Sequence, residues 1–94
     1  MLTPEQIKFC ETHEITEDQF LGKEEINKDL DLRSLTAIPK GFNPKVDGDL
    51  DLRSLTSIPK GFNPKVGGDL FLDSLTFIPE GCNPQVGGRV VLKK

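Results

Sequence analysis

The chain has 94 residues, 35 % of them hydrophobic and 29 % charged, with a formal net charge of −3 and neither Trp nor Tyr. That length sustains one small core, which must be built from Leu, Ile, Val and a few Phe. The charge gives no basic excess for nucleic acid, the composition is not that of a disordered chain, and no apolar run approaches the roughly 18 residues that span a bilayer.

The first elements are helical. Thr3-Pro4-Glu5-Gln6 has the form of a capping box with Pro at the first helical position, and Leu2 and Ile7 stand at the spacing of a hydrophobic staple. The device recurs in Thr16-Glu17-Asp18-Gln19, flanked by Ile15 and Phe20, and Gly22 is a stop signal. These signals predict two short helices, over about 3–12 and 16–21. Leu2, Ile7, Cys10, Ile15, Phe20 and Leu21 are expected to face inward, with Phe9 beside them. This is also the acidic part of the chain: residues 1–28 hold seven Asp/Glu against three Lys, whereas 29–94 hold eight against nine Lys/Arg. The opening residues lack the basic-then-apolar layout of a secretory leader, so a cytoplasmic location is expected.

Two cysteines, Cys10 and Cys82, read as reduced thiols in such a chain, and Cys82 as a small buried apolar residue. His13, the one histidine, falls in the turn between the predicted helices and reads as an exposed turn residue. No Cys/His constellation at metal-ligand spacing can be assembled from these residues, and neither metal nor cofactor is expected.

The rest of the chain is organised by repetition. The pattern recurs at a constant interval, from Leu30 through Leu50 and Leu70 to Val90. The copies 30–49 and 50–69 differ only at Ala37/Ser57 and Asp47/Gly67, the copies 50–69 and 70–89 differ at seven positions, and a fourth copy contributes one strand. Within a copy, Asp49-Leu50-Asp51-Leu52-Arg53 alternates polar and apolar, the mark of a strand with one buried face. Leu55 and Ile58 then change the rhythm, Pro59 ends the ladder, Gly61 permits an unusual dihedral, and Asn63-Pro64 is a turn dipeptide. One copy cannot bury its own Leu face. Copies stacked about 4.8 Å apart align Leu30, Leu50, Leu70 and Val90 in one parallel sheet, with the Ile and Phe positions closing the core. The expected fold is α+β: a short right-handed β-solenoid over residues 26–94, with one parallel sheet of about four strands, and a helical cap over residues 1–25.

The segment "LTSIPKGF", with "LDL" before it and its return at a period of twenty, resembles bacterial leucine-rich repeats, and resembles still more the short leucine-rich-like repeat proteins of gut bacteria and their phages. The resemblance covers about 29–92 and implies a solenoid in a bacterial or infected host cytoplasm. One departure stands out: Leu35, Leu55 and Leu75 occupy the place of the asparagine or cysteine that follows "LxL" in that pattern. Asn43, Asn63 and Asn83, each before Pro, are then expected to satisfy backbone groups at a different corner of the coil.

With Leu50 and Leu52 inward, their neighbours form outward columns: Asp29, Asp49, Asp69, Arg89; then Asp31, Asp51, Phe71, Val91; then Arg33, Arg53, Asp73, Lys93. Neighbouring Asp and Arg columns are expected to pair across strands. Asp beside "GGD" invites a calcium reading, but calcium-binding β-helices repeat about every nine residues, against twenty here. The third copy carries Phe71, Asp73, Phe77, Glu80 and Gln85 where the second has Asp51, Arg53, Ser57, Lys60 and Lys65. Either the array ends there and Phe71 pairs with Val91, or Phe71, Phe77 and Val91 form an apolar patch for a partner. Lys40, Lys45, Lys60 and Lys65 make a modest basic edge, short of a nucleic-acid stripe.

The expected function is a non-enzymatic protein-interaction module that binds through the sheet face and third copy, with Asp31, Asp51, Arg33, Arg53, Phe71, Asp73, Phe77 and Val91 as its contact residues. The alternative, motivated by size, acidity and the resemblance, is a phage or mobile-element inhibitor of a bacterial defence complex. Ser34, Ser54 and Ser74 read as turn hydroxyls, and no nucleophile or phosphate loop is found. A homodimer through the edge strand 89–92 is a further expectation, with no membrane partner.

Overall fold

A computed structural model describes residues 2–39, 41–59 and 61–93. Lys40 and Lys60 of the expected basic edge, and Lys94, lie outside the described residues.

Both predicted capping boxes form. Thr3 Oγ1 accepts the Gln6 backbone N–H at 3.2 Å while Gln6 Oε1 accepts the Thr3 N–H at 2.7 Å, opening α1 (Pro4–Thr12). Thr16 and Gln19 repeat the exchange at 3.0 and 2.9 Å to open α2 (Glu17–Phe20), a single turn. These reciprocal bonds satisfy donors that a helix start otherwise leaves orphaned. Leu2, Cys10, Ile15 and Phe20 are buried as expected, whereas Leu21 is half-buried and Ile7 is 46 % exposed. Ile7 therefore does not face inward as expected. The covered stripe of α1 runs through Phe9 and Cys10, and Gln6 reaches Gly41; Ile7 lies one helical step outside that stripe.

Eight short strands follow: β1 (Glu25–Ile26), β2 (Leu30–Asp31), β3 (Lys45–Val46), β4 (Leu50–Asp51), β5 (Lys65–Val66), β6 (Leu70–Leu72), β7 (Gln85–Val86) and β8 (Val90–Leu92). They form two four-stranded parallel sheets, β1-β3-β5-β7 and β2-β4-β6-β8, with every strand paired to its counterpart in the next copy. The chain is a parallel β-solenoid of about three turns. The second sheet corrects the expectation of one. Its strands have two residues each, and β3, β5 and β7 are boxed between Pro44, Pro64 or Pro84 and a glycine-containing return, too short to show an alternation.

The interior is columnar. Leu30, Leu50 and Leu70, and Leu32, Leu52 and Leu72, are at most 3 % exposed, facing Ile26, Val46 and Val66 from the other sheet. Phe42 stacks on Phe62 with centroids 6.2 Å apart, and Phe20 and Phe9 continue this aromatic column at 5.1 and 4.9 Å from Phe42. Cys82 follows Phe62 in this column and is half-buried instead of buried, and among the described residues no ring lies beyond it. The helical segment meets the first coil at Phe20 and Gly22. Phe20 O accepts the Asn43 N–H at 3.1 Å, and Gly22, at φ +79°, lies so close to the Asn43 carbonyl that a Cβ there would collide with it. The asparagines then ladder as expected: Asn43 Oδ1 accepts the Asn63 N–H at 2.8 Å, and Asn63 Oδ1 the Asn83 N–H at 2.6 Å.

Candidate partner-binding face

The first polar column of the β2-β4-β6-β8 sheet is a backbone ladder. Asp29, Asp49 and Asp69 each turn Oδ1 along the stack to accept the N–H of the equivalent residue in the next coil, Asp49, Asp69 and Arg89, all at 2.8 Å. The column faces outward as expected, with Asp29 and Arg89 exposed and Asp49 and Asp69 half-buried, and its carboxylates also bond the backbone of the next coil. The physical reason for these bonds is the residue before each acceptor's partner: Gly48, Gly68 and Gly88 leave open the space through which the carboxylate reaches, where any Cβ would strike Oδ1. Arg89 ends the ladder and sits 3.9 Å from Asp69.

The second and third columns pair within coils. Asp31 takes Arg33 Nε at 3.1 Å and Nη2 at 2.8 Å, and Oδ1 also accepts the Arg33 backbone N–H. Asp51 and Arg53 repeat this geometry, with Nη2 again at 2.8 Å. The expected pairing between neighbouring strands is therefore replaced by a fork closed over two residues, which satisfies the turn backbone at the same time. The guanidinium and backbone hydrogen bonds hold the Asp31 carboxyl below the usual carboxylate range and raise Arg33 and Arg53.

The third coil abandons the fork. Phe71 has no carboxylate to capture the N–H two residues on, and strands β6 and β8 run three residues where β2 and β4 run two. Phe71 is half-buried, in register with Val91 on one side and beneath the Arg53 guanidinium on the other, 5.9 Å from its centroid. That is within cation–π range. Asp73 is exposed, and Ser74 Oγ donates to Arg53 O at 2.6 Å, in keeping with a turn hydroxyl. Phe77 is 67 % exposed. It lines a depression with Ile58, Leu75, Pro79 and Lys93, whereas Phe71 lines another with Asp49, Asp51 and Arg53. The structure thus joins Phe71 to Val91 and Arg53, and places Phe77 around the corner. The Arg53–Phe71 contact has no signature within one copy. Only superposing two unlike copies exposes it.

Elsewhere, His13 closes α1 with its ring 4.5 Å from Phe9, half-buried instead of exposed, and burial lowers its pKa. Burial raises both free thiols, Cys10 and Cys82. On the outer side of the other sheet, Lys45 and Lys65 stand in register between Glu25 and Gln85. Among the described residues no group of three His, Cys, Asp or Glu is placed to hold a metal ion, and no helix is long and apolar enough to cross a membrane. Comparison with protein-family models, curated proteins and solved structures gives no match to this chain.

Proposed function

We propose that this chain is a non-enzymatic protein-interaction module: a leucine-rich-like solenoid, capped by its N-terminal helices, that binds another protein in a bacterial or infected host cytoplasm. The cap reading rests on Phe20, whose ring and carbonyl occupy the places of a preceding coil's core residue and ladder acceptor. The binding reading rests on one observation. Where the first two coils close their outer face with an Asp–Arg fork, the third presents Phe71 and Val91 and leaves Phe77 67 % exposed. Phe77 is an exposed aromatic and Phe71 a half-buried one beside charged residues, and aromatic side chains are the kind of anchor that dominates interface energetics. Affinity purification with wild type, followed by the double variant Phe71→Asp and Phe77→Ser, tests this. Partner recovery is expected to fall with the variant still folded, and unchanged recovery of every specific partner sinks the assignment.

A further inference from the structure

Strand β8 is a second contact surface with its own chemistry. In the coils before it, Leu30 and Leu50 donate their N–H to Asp49 O and Asp69 O, Leu32 and Leu52 donate to Asp51 O and Phe71 O, and Leu70 donates to Arg89 O, all at 2.8 or 2.9 Å. At Val90 and Leu92 that pattern reaches its last strand: among the described residues no strand lies beyond β8. Two backbone donors, two residues apart, therefore face outward along one edge, the arrangement that strand addition uses. The core beneath is open too, since Val90 is 38 % exposed and Leu92, Val86 and Cys82 are half-buried where Leu70, Leu72, Val66 and Phe62 are buried.

Residue identity shows that a further coil of the same kind is not what fits. Position 89 is Arg, which cannot accept the N–H that Asp29, Asp49 and Asp69 accept. A second copy fits no better. Antiparallel self-pairing centred on Val91 sets Arg89 opposite the other copy's Lys93, and facing like charges are destabilising. The Arg89 side chain is 84 % exposed, with Asp69 at 3.9 Å as its ion pair, and Lys93 is exposed.

We propose that the β8 edge takes an extended segment of another protein, with apolar residues opposite Val90 and Leu92 and carboxylates opposite Arg89 and Lys93. This deepens the interaction-module reading by naming the chemistry of a partner segment, and it uses the edge, not the face. The probe is a blocked pentapeptide of glutamate, valine, threonine, valine and glutamate, titrated to millimolar concentration into the full chain and followed by amide NMR. Shifts and slowed exchange are expected at Val90 and Leu92. The same peptide with lysine at both ends should bind about five- to ten-fold more weakly, and the variant R89E/K93E should reverse that preference. Equal binding of the two peptides, or no change along β8 with either, overturns the proposal. So does concentration-dependent self-association with Val90 and Leu92 protected, which gives the edge to a second copy. The variant Phe71→Asp and Phe77→Ser should bind the acidic peptide as wild type does, so failure of the face and failure of the edge are read separately.

Discussion

Asp49 Oδ1 accepts the backbone N–H of Asp69 at 2.8 Å, and Asp69 lies one full coil further along the chain. The carboxylate serves as a rung between layers, and what it needs is an acceptor atom at that place more than a charge. Asp49→Asn is therefore expected to keep the fold within about 1 kcal/mol of wild type, because the amide oxygen replaces Oδ1. Asp49→Ala leaves the partly buried Asp69 N–H without its acceptor and should cost about 1–3 kcal/mol. Chemical denaturation of the two variants is the check, and equal losses would remove the ladder from the account.

Gly68 and Gly61 separate two roles of glycine. Gly61 sits at φ +89° with open space around it, so Gly61→Ala meets backbone strain alone, about 1 kcal/mol. At Gly68 a methyl group would collide with Asp49 Oδ1 and crowd the Gly48 carbonyl. Gly68→Ala should be the more destabilising of the two, and much of its excess should vanish in an Asp49→Ala background. A double-mutant cycle with no coupling between positions 49 and 68 contradicts this.

The pH response follows from two groups. The Asp31 carboxyl titrates below its ordinary value because Arg33 holds the charged form. A carboxyl with a lower folded pKa stabilises the fold above its unfolded pKa, and that contribution disappears as pH falls through the folded value, below about pH 4. In carboxyl-detected NMR the Asp31 midpoint should move up in Arg33→Leu. His13 is lowered by burial, so the fold favours neutral imidazole and stability should decline as pH drops below the ordinary histidine value of 6.5. Phe9→Ala exposes the ring and should raise the His13 midpoint; an unmoved midpoint rules out burial against Phe9 as the cause.

Making the third copy resemble the second isolates the face from the fold. Phe71→Asp with Asp73→Arg recreates the fork seen at Asp51 and Arg53. Stability is expected to stay within about 1 kcal/mol, as for surface changes away from the core, while capture of the partner found by affinity purification falls. A large loss of stability in melting experiments would instead mark Phe71 as a packing residue.

The sequence makes the columns legible because strict repetition leaves one way to stack Leu on Leu, and two capping boxes locate both helices to within a residue or two. The second sheet is hidden because Lys45-Val46 and its equivalents offer a single alternation. Ile7 misleads because staple spacing ignores which stripe of α1 the coil covers, which is settled by Phe9 against Phe42. The Asp ladder has a faint trace in the sequence: Asp follows Gly at 48–49 and 68–69, and the Gly makes room for the carboxylate from the coil before. Nothing in a single copy announces that Arg53 covers Phe71, because that contact joins residues from two unlike copies.

The Gly-Asp rung also bears on how such a chain grows. Because Asp49 and Asp69 each offer the same acceptor to whatever follows, and Gly48 and Gly68 each clear the same path, a duplicated repeat unit inserted between them would find both its acceptor and its donor already in place. The near-identity of residues 30–49 and 50–69 is the condition for that interchange. Copy number is thus a variable that the rung leaves open between Asp29 and Asp69, while Arg89 takes the last rung as a donor and offers no acceptor of its own.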